Sequence, residues 1–100
     1  MEDPLRSFEI GVVLSSWRSS QDPTTAGWDE IREMATRAEE IGFDTVWSPD
    51  ELVGRVVKDG PVYGFWDGVA MPAAIAAVTS RIKVGTWVSS ALHRNPGIIA

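Results

Sequence analysis

Residues 79–95 read Thr-Ser-Arg-Ile-Lys-Val-Gly-Thr-Trp-Val-Ser-Ser-Ala-Leu-His-Arg-Asn, and Pro96-Gly97-Ile98-Ile99-Ala100 follows. Thr79 and Ser80 form a polar turn, and Ile82 to about Val88 has the β-branched character of a strand. A polar loop then leads into a new helix, with Asn95 as its cap and Pro96 in the first helical position. In a parallel α/β protein the loops that leave the carboxyl ends of the strands make the ligand face. Ser89, Ser90, His93, Arg94 and Asn95 therefore lie where a ligand would sit.

Two earlier segments repeat this plan. Phe8 to Leu14 is apolar at period two (Phe8, Ile10, Val12, Leu14), with Val13 apolar on the other side, as in a buried strand. The Ser-rich stretch from Ser15 to Gly27 reads as a loop over its carboxyl end. Trp28, Ile31, Met34, Ala35, Ala38 and Ile41 recur at helical spacing with charges between them, which predicts an amphipathic helix. Gly42 is its stop, with Phe43 folding back onto Ala38. Asp44 to Trp47 is a second strand, followed by a long polar excursion from Ser48 to about Gly64. Phe65 to Val78 is Ala-rich and apolar nearly all round, a buried helix that Pro72 delays or bends.

Strands that begin near residues 8, 45 and 82, with a helix in each gap, make a βαβαβ run of α/β class. A complete (β/α)8 TIM barrel needs ~250 residues, so residues 1–100 correspond to about three βα units, an N-terminal portion cut off just inside a helix.

Composition narrows the function. Net charge is −5, and no Lys/Arg run occurs, which argues against nucleic acid as a partner. There is no cysteine and one histidine, so thiolate chemistry is excluded and no His-rich metal site is expected. The start, Met1-Glu2-Asp3-Pro4, lacks the apolar run of a signal peptide, and no stretch reaches membrane-spanning length. A cytoplasmic location is the expectation, with no membrane partner.

Several motifs carry a resemblance. They are A-E-E-I-G-F-D-T-V-W at Ala38 to Trp47, the acidic pair Asp50-Glu51, and G-F-W at Gly64 to Trp66. A-A-V-T-S-R-I-K-V-G-T-W-V at Ala76 to Val88 and R-N-P-G-I-I-A at Arg94 to Ala100 complete the set. In this order and spacing the chain resembles the luciferase-like monooxygenase superfamily, TIM-barrel enzymes that use FMN or coenzyme F420. The resemblance implies a flavin or deazaflavin across the carboxyl ends of the strands, with the cofactor supplying the redox chemistry.

It also implies roles for particular residues. Asp50, Thr86, Trp87, Val88 and Ser89 would contact the cofactor, and Glu51 and His93 would be catalytic. Many relatives end the second strand in an Asp-His pair, where this chain has Asp50 and Glu51. Glutamate moves a proton when its pKa is raised, but it is never a cation and it repels anionic substrates. A non-prolyl cis peptide is expected at Trp87-Val88, where relatives buttress the ring. The leading function is an FMN-dependent oxidoreductase acting on a small-molecule substrate with oxygen, which allows a flavin reductase as partner and a homo-oligomer when full-length. F420-dependent hydride transfer from an alcohol-type substrate is the alternative. A cofactor-free barrel binding protein or hydrolase is the reading from another class.

Each residue also has a plainer reading. Asp50-Glu51 suits a solvated loop start, His93 a packing role, and Arg94 an ion pair with any of 14 acidic residues. Trp28 and Trp47 fit core positions, while Trp66 and Trp87 are expected near the site.

Overall fold

The computed structural model describes residues 8–100. In chain order the elements are β1 (Gly11–Val13), α1 (Trp28–Ile41), β2 (Thr45–Pro49), β3 (Val53–Gly54), β4 (Tyr63–Gly64), α2 (Ala70–Val78), β5 (Lys83–Trp87) and α3 (Pro96–Ile99). A single 3₁₀ turn at Ala91–His93 precedes α3.

β1, β2 and β5 form a three-stranded parallel sheet in that spatial order. Val12 pairs with Val46 and Val46 with Val84. One face of these strands therefore carries a row of valines. Ile31, Ala35 and Ala38 of α1 and Met71 and Ile75 of α2 cover this face, with Val46 and Ile75 fully buried. Each wholly buried aliphatic side chain contributes about 1.5–3 kcal/mol over its exposed state, so these few contacts fix how the helices sit. The architecture is the α/β one expected, with parallel βαβ crossovers.

The boundaries have local causes. α1 starts at Gly27, whose N–H donates to Glu30 Oε2 at 2.6 Å, and Glu30 also holds Arg18. It ends as the sequence predicts. Gly42 is left-handed (φ 98°), its N–H donates to the Glu39 carbonyl, and the Phe43 N–H donates to the Ala38 carbonyl at 3.1 Å. Ile41, last of the apolar stripe, is exposed. α2 starts late because the Asp67 carboxylate accepts the N–H groups of Val69 and Ala70 at 3.0 and 2.7 Å. That leaves Pro72 in the first turn, where a missing N–H loses no intrahelical bond. Asn95 Oδ1 accepts from the Gly97 N–H at 2.8 Å and Pro96 opens α3, as its sequence indicates.

Two expectations need correction. The first strand is shorter than Phe8 to Leu14, and Phe8 and Ile10 are exposed. Neither belongs to the core, whereas Leu14 and half-buried Val12 lie under the helices. The long excursion after β2 is not wholly irregular either. β3 and β4 pair antiparallel in a small hairpin that docks on the first loop. There Trp17 and Phe65 meet edge to face at 5.3 Å, and Thr25 Oγ1 donates to the Gly64 carbonyl.

Candidate functional site

Three stretches meet at the carboxyl ends of β2 and β5: the chain leaving β2, the loop before α2 and the loop after β5. Their common point is Asp50, only 6% exposed. Its two oxygens accept from both terminal nitrogens of Arg94, at 2.6 and 2.7 Å, in a fork-to-fork pair. Asp50 Oδ2 also accepts the Ser90 N–H at 2.6 Å. Arg94 Nη2 reaches on to Asp67 Oδ1 at 2.9 Å, so one guanidinium binds two carboxylates. Gly68 lies so close that a Cβ there would collide with the Asp50 carboxylate, and its carbonyl accepts from Thr86 Oγ1 at 3.0 Å.

The electrostatics follow from this geometry. The Arg94 guanidinium, aided by the Ser90 N–H, outweighs burial and holds the Asp50 carboxyl at about 2, below its ordinary 3.8. The Asp67 carboxyl is also lowered, first by the Ala70 N–H that it caps and then by Arg94. The same two carboxylates raise Arg94. Charge-assisted, bidentate bonds of this kind are about twice as strong as neutral ones, and they fix orientation as well. Asp50 is thus ionised throughout the physiological range and oriented, an anchor more than a proton carrier.

The other residues picked out by sequence separate into groups. Glu51 and His93 are exposed beside this cluster. Thr86 turns its hydroxyl back to Gly68, on the inner side of the strand end. Trp87 is 52% exposed and meets Trp47 edge to face at 6.0 Å on the sheet face away from the helices. Trp47 fits between Gly11 and Gly85, whose missing side chains make room for its indole. Val88 and Ser89 are exposed.

The cis peptide expected at Trp87-Val88 is absent, and no cis bond occurs among the described residues. Instead Val88 takes a left-handed conformation, φ 61°, which a β-branched residue rarely adopts. The turn there sends Ser90 toward Asp50 and leaves Val88 projecting, 77% exposed, beside Trp87.

A small hollow between the ends of β1 and β2 and the two helices is lined by Leu14, Ser15, Ser16, Ile31, Ser48, Pro49, Trp66 and Met71. Trp66 is held there by its Nε1–H, which donates to the Ala26 carbonyl at 2.7 Å. Asp67 is the participant that sequence reasoning missed. Its signal was present, an aspartate three residues ahead of an Ala-rich helix, the placement of a capping residue. Among the described residues no group of three or more His, Asp or Glu is placed to hold a metal ion, and no helix is long and apolar enough to cross a membrane.

These features define an α/β protein with a buried carboxylate–guanidinium cluster at the carboxyl ends of a parallel sheet. Over residues 8–100 the chain matches the profile of the luciferase-like monooxygenase family, and it belongs to that family. It is similar to an F420-dependent glucose-6-phosphate dehydrogenase of Amycolatopsis mediterranei (strain U-32), 38% identical over 72 residues, or 71% of this chain. The chain spans about a fifth of that relative, 21% of its length. No solved structure gives a significant match.

Proposed function

We propose that the chain forms the first three βα units of a (β/α)8 barrel and supplies one wall of a cofactor site that takes F420 for hydride transfer. The observation that carries the site is the projecting strand end at Trp87-Val88-Ser89, an exposed indole beside a left-handed backbone step. Such a surface suits a flat, largely apolar ring.

The donor set fits the ring part of the cofactor and not its phosphate. Arg94 is engaged by two carboxylates, so it lacks a face for a phosphate group. When bound, the deazaflavin supplies the hydride acceptor. An alcohol-type substrate would lose a hydride from carbon and a proton from oxygen. Glu51 and His93, exposed at the mouth, are this chain's groups suited to take that proton.

FMN with oxygen is the second reading, favoured by the family's description as monooxygenases. The relative's F420 dependence tips the choice the other way. That relative is named for a sugar phosphate, yet here Glu51 stands exposed next to Asp50 and adds negative charge at the end of β2. A neutral alcohol suits this charge better than a phosphate ester. Titration of the complete protein with F420 and with FMN, followed by anaerobic and aerobic turnover, tests the choice. Binding of F420 with oxygen-independent oxidation supports it, and exclusive FMN binding with oxygen consumption overturns it.

A further inference from the structure

We propose that Arg94 is a positioning residue for the cofactor platform, acting through Asp50 and Ser90 and touching neither cofactor nor substrate. The inference rests on the cofactor site proposed above and deepens it by naming what holds that platform in place.

Three observations carry it. First, the loop after β5 leaves Trp87 through a left-handed valine, a conformation that surroundings must hold. Second, the loop is tied down just beyond that point at two places on one buried carboxylate. The Ser90 N–H and the Arg94 fork both bind Asp50, at 2.6 to 2.7 Å. Third, the Arg94 side chain is only 11% exposed, and its terminal nitrogens already face Asp50 and Asp67. Val88 and Ser89 are thus suspended between strand β5 and the Asp50 anchor, and freeing the anchor frees them. A bidentate pair of this kind, mostly out of solvent, is poor evidence of added stability but suited to specifying one conformation.

The experiment uses the complete protein with Arg94→Met, Arg94→Lys and Asp67→Asn. Hydrogen exchange of the Ser90 amide is read without cofactor, and F420 and FMN affinities and saturated turnover are read alongside. Arg94→Met is expected to speed Ser90 exchange and weaken cofactor binding, each by about tenfold, with turnover at saturation little changed. Arg94→Lys, which keeps the charge but loses the fork, is expected to restore both in part. Asp67→Asn, a milder change, is expected to move both readings in the same direction by less, and with Arg94→Lys it carries the test if Arg94→Met does not fold.

Weakened affinity with Ser90 protection intact would mean that Arg94 meets the ligand directly, and it overturns the proposal. Lost protection with unchanged affinity overturns it too, because the platform would then not depend on the anchor. If the unmodified protein binds neither cofactor, the function reading fails and the platform role fails with it. Ser90 exchange then still reports whether Arg94 anchors the loop.

Discussion

Gly85 stands directly beside Trp47 in the parallel register of β2 and β5, and the indole fills the space that a side chain at residue 85 would need. A Cβ there would lie 2.5 Å from Trp47 Cζ3, so Gly85→Ala must push the indole or the strand aside. Overpacking of this kind costs about 1–3 kcal/mol. Gly64→Ala is the matched control, since a Cβ at residue 64 would meet no atom within 4 Å and the φ there is not positive. It is expected to be neutral, or to stabilise by up to about 1 kcal/mol through the unfolded chain. Urea midpoints of the two variants provide the check.

At the end of α1 the constraint is conformational. Gly42 sits at φ 98° with open space around it, so Ala is excluded by backbone strain and not by crowding. Gly42→Ala is expected to cost about 1–2 kcal/mol, and Gly42→Asn less, because Asn tolerates the left-handed region. Equal losses for the two in thermal unfolding would contradict a backbone origin.

Asp50→Asn removes the charge facing a buried guanidinium. Breaking one side of such a pair is destabilising because the other charge is left uncompensated, and the loop after β5 loses its anchor. The comparison residue should be Glu33, exposed on the outer side of α1, and not Glu30. Although Glu30 is on the polar face, it holds both the Gly27 N–H and Arg18. Denaturant unfolding and steady-state turnover of Asp50→Asn against Glu33→Gln would sink the site assignment if both changes were equally mild.

The acid response follows from the direction of the same shift. The folded-state pKa of Asp50, about 2, lies below its ordinary 3.8, so its contribution to stability is complete above pH ~4 and disappears as pH falls toward 2. Asp67 and Glu39 are lowered too and add to the slope in the same direction. Unfolding free energy measured from pH 6 to pH 2 should fall in that window, and less steeply in Asp50→Asn.

Glu39 gives a test at the opposite end of the sheet. Its carboxylate accepts the N–H groups of Ser80, Arg81 and Ile82, and Arg81 Nη2 donates to the Glu39 carbonyl. Glu39→Ala leaves three backbone donors without their acceptor, and a loss of about 2 kcal/mol is expected, with Glu39→Gln recovering part of it. No change in the unfolding midpoint would show that solvent replaces those bonds freely.

Most of the framework was legible because its signals are local. The period of Trp28 to Ile41, the Gly42 stop and the Asn95-Pro96 start each depend on residues within a turn or two. The centre of the site was not legible in the same way. Arg94 chooses Asp50 and Asp67 from among 14 acidic residues, at separations of 44 and 27 positions, and nothing local encodes that choice. Gly11 and Gly85 likewise look like ordinary strand glycines until Trp47 is seen lying between them. At Val88 the sequence points to an unusual backbone at the right place but in the wrong form, a cis bond where the chain takes a left-handed turn.

The order of strands in the sheet has a consequence for synthesis on the ribosome. β2 pairs with β1, which has already emerged, and β5 pairs with β2, so each strand added to this sheet finds a partner already made. Each βα unit can settle onto its predecessor as it leaves the exit tunnel. The growing sheet always has the newest strand at its open edge. Nascent chains stalled after residue 78 are accordingly expected to hold β1, α1 and β2 together already, while the Arg94 anchor forms only once the last loop is out.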